Sequence, residues 1–281
     1  MSDVAGGGGV LEETLRARRA EGAKLLVPYV SGGLGDDWTD VLRAVVAAGA
    51  DAVEIGIPFS DPVMDGPTIQ EASIRALSGG ATPRSILADL GRVDEGVPLV
   101  VMTYYNLAFR MGDLRFARSL AAAGVSGAIL PDLPLEESAA WEAEAAAAGV
   151  APVLLAAPIT PDDRLMAIAE RARGFVYGVS RMGVTGERTS LAASAGVMAK
   201  RLKSVTDRPV LIGFGVSNPE QAVEVCAEAD GVVVASALMR TVLDGGGPAA
   251  AADFVSGLRR ALDAEWPPGA SPEGGGVGPA G

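Results

Sequence analysis

Histidine is absent from the chain, lysine occurs only at Lys24, Lys200 and Lys203, and Cys226 is the sole cysteine. Without histidine there is no Ser-His-Asp triad and no imidazole-ligated metal. Lys24 opens a strand pattern, and Lys200 and Lys203 fall in a helical one. None stands where a barrel enzyme would hold a Schiff-base lysine. A lone cysteine forms no internal disulfide, which points to a reducing, cytoplasmic setting. Basic charge is also scarce: the net charge is −12, which argues against nucleic acid or an anionic membrane as partner. No basic start followed by an apolar run marks a signal peptide, and no stretch approaches the ~20 apolar residues of a membrane span. Catalysis is left to carboxylates, tyrosines, arginines and backbone amides.

The chain has 281 residues, 49% of them hydrophobic and only 5% aromatic, with the apolar mass mostly Ala, Val and Leu. That composition suits a core of strands and small-residue helices. Short apolar runs recur at 25–30, 52–57, 99–104, 127–131, 151–157, 174–179, 210–214 and 231–235. Helical patterns at 38–48, 83–92, 113–123, 136–148, 162–171, 191–203, 219–228 and 249–264 alternate with them. Asn218-Pro219 and Thr160-Pro161 read as helix starts, and Ala48-Gly49 and Ala123-Gly124 as helix ends. The alternation predicts an α/β fold, a (β/α)8 TIM barrel. The rival is an open doubly wound sheet, but Ser31-Gly-Gly-Leu-Gly35 only loosely echoes its glycine fingerprint. Additional helices are expected at 11–20, before the first strand, and at 68–77, inside the second connection. The domain reading is a disordered N-terminus at 1–9, one barrel catalytic domain at 10–265 and a disordered Gly/Pro-rich tail at 266–281.

Within 52–57 a two-residue alternation puts Val53, Ile55 and Ile57 on one face and Ala52, Glu54 and Gly56 on the other. The bulky face meets the helices, so Glu54 points into the barrel. A buried, unpaired carboxylate costs several kcal/mol or titrates late, and such groups concentrate at active sites. Paired to an arginine, the same residue would be only structural. The loop behind it carries Asp61 and Asp65. Asp-Pro and Asp-Gly are ordinary turn pairs. Carboxylates converging on one barrel mouth would instead form an acid/base set. A phosphate cradle is expected at Gly213-Phe-Gly215-Val-Ser217 and Ala235-Ser236-Ala237, after the seventh and eighth strands. Ser180-Arg-Met-Gly-Val-Thr-Gly186, after the sixth, suits a lid or a plain loop.

Glu54 followed by Pro58-Phe-Ser-Asp-Pro-Val-Met-Asp-Gly-Pro-Thr-Ile-Gln70 resembles the tryptophan synthase alpha subunit family. So do Pro131-Asp-Leu-Pro-Leu-Glu-Glu137, Ser180 to Gly186 and Gly213 to Ser217, in order across residues 11–262. The resemblance implies retro-aldol cleavage of indole-3-glycerol phosphate to indole and glyceraldehyde 3-phosphate. It implies Glu54 as general acid/base, Asp65 on the indole N–H and Tyr177 lining the site, with Tyr29, Tyr104 and Thr185 as further substrate contacts. Gly186, Gly215, Ala235 and Ser236 would hold the phosphate. Ala235 departs from the glycine usual there, which puts phosphate affinity in question. A beta chain would dock over Pro58, Asp61 and the 180–191 lid in an alpha2beta2 heterotetramer. Pyridoxal phosphate would belong to that partner, with no cofactor in this chain. As proton shuttle, Glu54 should have a pKa well above the ~4.3 of a free glutamate.

Alternatives remain from other classes. A self-sufficient lyase would release free indole with the same residues. A non-catalytic barrel would only activate a partner. A phosphosugar isomerase would need acids after other strands, where this chain has Tyr29-Val-Ser31 and Ala156-Ala-Pro158.

Overall fold

The computed structural model describes residues 9–179, 191–213 and 215–269. The apolar runs become β1 Leu25–Ser31, β2 Val53–Gly56, β3 Leu99–Met102, β4 Val125–Ile129, β5 Ala151–Ala156, β6 Val176–Val179, β7 Val210–Gly213 and β8 Gly231–Val234. Each pairs in parallel with its sequence neighbour, and β8 returns to β1, so the sheet closes into a TIM barrel. Around it run α1 Gly9–Ala20, α2 Trp38–Ala47, α3 Pro67–Ser78, α4 Pro83–Leu90, α5 Tyr105–Met111 and α6 Asp113–Ala122. The outer layer continues with α7 Ala139–Ala147, α8 Asp162–Arg171, α9 Leu191–Lys203, α10 Pro219–Cys226, α11 Ser236–Thr241 and α12 Gly247–Glu265. The α/β alternation, the helix before β1 and the additional helix after β2 are as the sequence predicts. Gly49 and Gly124 close their helices at φ 102 and 76.

Two apolar layers follow from the strand period of two. Val53, Ile55 and Ile57 pack outward with Trp38, Val41 and Leu42 of α2. Ala52 faces inward with Leu25, Val27, Val100, Val153 and Leu211. Leu11 and Leu15 of α1 are fully buried in this inner layer and stop the floor of the barrel. Each contributes roughly 1.5–3 kcal/mol by that burial.

Three features differ from expectation. The runs at 52–57 and 99–104 leave the ladder early, at Gly56 and Met102, where the chain bends into the mouth. The helix expected at 136–148 begins only at Ala139, because the preceding residues form a turn in which Ser138 Oγ donates to Leu135 O. Helix α5 has no counterpart among the helical patterns of the sequence. Its first N–H, from Tyr105, donates to Asp132 Oδ1 at 2.8 Å, so a distant loop caps it. Tyr104 is therefore its N-cap residue, not the end of a strand. Residues 266–269, past α12, touch the N-terminal part of the chain. Lys24 Nζ lies 4.8 Å from the Trp266 ring centroid, and Gly269 N donates to Glu21 O at 2.7 Å. The remaining terminal residues lie outside the described residues.

Carboxylates tie the floor together. Asp51 Oδ2 accepts from Leu26 N at 2.8 Å and from Arg259 at 3.3 Å, while Oδ1 accepts from Arg18 Nε at 2.9 Å. Asp230 makes the equivalent junction with Val210 N, Lys203 and Arg19. Asp51→Ala would leave the buried Leu26 N–H unpaired and take from Arg259 one of its two carboxylate partners, Asp263 being the other. It is expected to lower the unfolding free energy by about 3 kcal/mol in a denaturant titration. A change under about 1 kcal/mol, the scale of an exposed pair, would show that the junction is not a buried one in effect.

Candidate active site

Glu54 lies in β2 beside Tyr29 of β1 and Val100 of β3. Its inward direction follows from the alternation that places Ala52 in the inner layer. It is 1% exposed, and its Oε2 has no hydrogen-bond partner. Among the described residues no arginine is paired with it. Burial and the neighbouring Asp65 charge push its carboxyl up to about 8. At neutral pH Glu54 is thus mostly protonated and able to give up that proton.

Asp65 is brought to the mouth by the 58–65 loop. Its N–H donates to Pro62 O at 3.1 Å, and its carbonyl accepts from Gln70 Nε2 at 2.9 Å. Phe59 stacks on Tyr104 with centroids 5.2 Å apart, and Met64 N donates to Tyr104 Oη at 2.9 Å. The Tyr104 hydroxyl also faces the Asp65 carboxylate and favours its charged form. Burial raises the Asp65 pKa, and this contact works in the opposite direction. One acid therefore has a buried oxygen without a partner and the other faces a donor, an arrangement that separates a proton donor from an anion.

Tyr29 and Tyr177 are buried in the barrel, and their phenols are pushed well above the ordinary range, chiefly by burial. Both remain neutral donors. Each ring lies down over a glycine of the next strand. A Cβ on Gly56 would meet Tyr29 Oη at 1.7 Å, and one on Gly213 would meet Tyr177 Oη at 2.3 Å.

Of the expected phosphate residues, Gly215 follows β7 at φ 61, Ala235 is the N-cap of α11, and Ser236 is its exposed first residue. Strands β7 and β8 are neighbours, so both loops reach the same end of the barrel as the Asp65 loop. Thr185, Gly186 and the rest of the 180–190 loop lie outside the described residues. Asp61 is exposed, whereas Pro58 is buried within the chain and shapes the loop more than its surface. Val63 and Met64 beside them are 81% and 60% exposed, and Phe109 and Ile159 also present large apolar side chains to solvent.

A cavity of about 360 Å3 opens at the ends of β4, β5 and β6, lined by Met64, Leu130, Asp132, Leu155, Arg164 and Val179 among others. Glu54 and Asp65 are not in its wall, but Met64, next to Asp65 in the chain, is. Among the described residues no three carboxylate, thiol or imidazole groups converge to hold a metal, and no helix is long and apolar enough to cross a membrane. Sequence reasoning gave no role to Gln70, Met64 or Asp132. All stand in the quoted motifs, but their partners are far away or on the backbone.

The chain matches a family model described as tryptophan synthase alpha chain over residues 15–256. It is 44% identical over 255 residues to a tryptophan synthase alpha chain of Streptomyces avermitilis, covering 89% of this chain and 92% of that one. The corresponding protein of Streptomyces coelicolor is 43% identical, with 89% and 97% covered. Among solved structures, a tryptophan synthase from Mycobacterium tuberculosis superposes with a TM-score of 0.83 at 38% identity, covering 90% and 98%. A tryptophan synthase alpha subunit from Legionella pneumophila gives 0.84 at 30% identity, covering 91% and 99%.

Proposed function

The chain belongs to the tryptophan synthase alpha chain family, and from that premise we propose how its mouth acids divide the work. The protein cleaves indole-3-glycerol phosphate to indole and glyceraldehyde 3-phosphate, and the indole goes to a beta chain for tryptophan synthesis. The observation that carries the assignment of roles is Glu54: buried, without a partner at Oε2, and protonated up to about pH 8.

Glu54 delivers its proton to indole C3, turning the ring into an electron sink. The Asp65 carboxylate accepts the ring N–H and offsets the positive charge that develops there. Glu54, now a carboxylate, takes the proton of the glycerol hydroxyl. The carbonyl of glyceraldehyde 3-phosphate forms as the bond to C3 breaks, and the bonding pair returns to the ring. Glu54 ends protonated, so the cycle closes without metal, lysine or cofactor. Tyr177 and Tyr29 wall the indole, and Tyr104 positions Asp65. The backbone amides of Gly215, Ala235 and Ser236, with Gly186, cradle the phosphate.

The beta chain docks over the exposed Val63 and Met64 beside Asp61, apolar surface that a partner would cover. An alpha2beta2 assembly, pyridoxal phosphate in the beta chain and a cytoplasmic setting belong to the same proposal. Mixing the chain with a beta chain, serine and indole-3-glycerol phosphate should yield tryptophan faster than the chain alone yields indole. Equal and high turnover alone would turn the reading toward a self-sufficient lyase. Absence of cleavage in both mixtures would overturn it.

Tyr104→Phe removes the donor to Asp65, whose carboxyl then titrates at higher pH. The acid limb of the kcat/KM profile is expected to move upward, with a loss of up to about tenfold near its old midpoint. An unmoved acid limb would separate Tyr104 from Asp65.

A further inference from the structure

Helix α3 starts two residues after Asp65, and its first turn holds that residue's backbone: Gln70 Nε2 donates to Asp65 O. Helix α11 starts at Ser236, in the proposed phosphate cradle. These helices come from opposite ends of the sequence, and Arg240, one turn into α11, joins them. Its Nη2 lies 3.3 Å from Thr68 Oγ1 and 2.9 Å from Glu71 Oε2. Arg75 completes the joint, with Nη2 at 2.6 Å from Glu71 Oε1 and Nη1 donating at 3.0 Å to Leu243 O, in the chain just past α11. The hydrogen bond from Arg240 lowers the Glu71 pKa, so the pair stays charged. At its other side α11 meets β1, where Ser31 N points to Met239 Sδ at 3.4 Å.

We propose that Arg240 is a positioning residue that couples occupancy of the phosphate cradle at Ser236 to the placement of Asp65, through Thr68 and Glu71 of α3. The inference rests on the roles proposed above for Asp65 and the cradle. Arg240 itself touches α3, not the reacting atoms. A phosphate seated on the first amides of α11 fixes that short helix, and a rigid joint passes its position to the start of α3. Substrate phosphate, remote from the bond that breaks, would in this way contribute to turnover and not to binding alone. The joint is partly exposed, with Arg240 at 43% and Glu71 at 35%, so its removal should leave the fold nearly unchanged.

The test compares full-length wild type, Arg240→Ala, Arg240→Lys and Glu71→Gln, each with saturating beta chain, on indole-3-glycerol phosphate and on its dephosphorylated analogue indole glycerol. Arg240→Ala and Glu71→Gln are expected to lower kcat for the phosphorylated substrate by about tenfold, with KM within about twofold. On indole glycerol they should match wild type, and Arg240→Lys should recover most of the loss. Thermal unfolding of each variant accompanies the kinetics. An equal loss on both substrates would mark a general structural effect and overturn the coupling. So would a rise in KM alone, or variants identical to wild type. A wild-type chain inert toward indole-3-glycerol phosphate would overturn the assigned reaction, and the coupling with it.

Discussion

Glu54→Gln is expected to reduce cleavage of indole-3-glycerol phosphate by about a thousandfold while the chain still folds and binds a beta chain. The amide keeps the volume and shape of the side chain, so its strand neighbours Tyr29 and Val100 should not repack. It has no proton to give to C3 and no charge with which to remove one from the hydroxyl. The loss should fall on kcat, because the carboxyl acts after the substrate is seated. Stopped assays of indole release with purified variant and wild type measure it. A loss smaller than about tenfold would take Glu54 out of the proton transfers.

The same substitution carries a stability prediction of opposite sign. The Glu54 carboxyl titrates at about 8 in the folded chain against an ordinary value of 4.5. Between these values the folded chain holds a proton that the unfolded chain has released, so stability falls as pH rises through that window. The contribution is whole below about pH 4.5 and lost above about pH 8. Glutamine does not titrate. The variant should therefore match wild type at the acid end and exceed it above pH 8 by on the order of a few kcal/mol. Activity carries the matching signature: the wild-type rate should decline as pH passes about 8, where Glu54 starts the cycle without its proton.

The barrel was legible in the chain because strand and helix periods are local, and each of the eight runs carries its own pattern. Glu54 was legible for the same reason, as the one carboxylate on the inner side of an alternating strand. Helix α5 was not, because its first N–H is satisfied by Asp132, 27 residues away. The hold on Asp65 was equally hidden: it depends on Tyr104 and Phe59 meeting across two loops. The Arg240 joint spans 172 residues and leaves no trace in either segment alone. What the chain conceals is the long-range capping and pairing that aims its loops. Composition offered only exclusions, and these narrowed the chemistry to carboxylates without saying which two.

Gly56→Ala is expected to lower kcat/KM by about a hundredfold, although it adds one methyl group and changes no charge. Gly56 is not among the positive-φ glycines, so its backbone would accept alanine. Space is what it lacks: the new Cβ would stand 1.7 Å from Tyr29 Oη, 2.3 Å from Cζ and 2.7 Å from Cε2. Tyr29 is 6% exposed, so its ring cannot make way without displacing its neighbours, and the open side is the mouth of the barrel. There it would intrude on the space above Glu54 that the indole ring needs. Stability should fall by roughly 1–3 kcal/mol, the usual range for an overfilled core. The double variant Gly56→Ala/Tyr29→Leu separates the explanations. If the clash is the cause, shortening Tyr29 restores much of the lost stability and part of the lost rate, so the two changes are strongly non-additive. If Gly56 matters for any reason other than room for Tyr29, the second substitution only adds its own loss to the first.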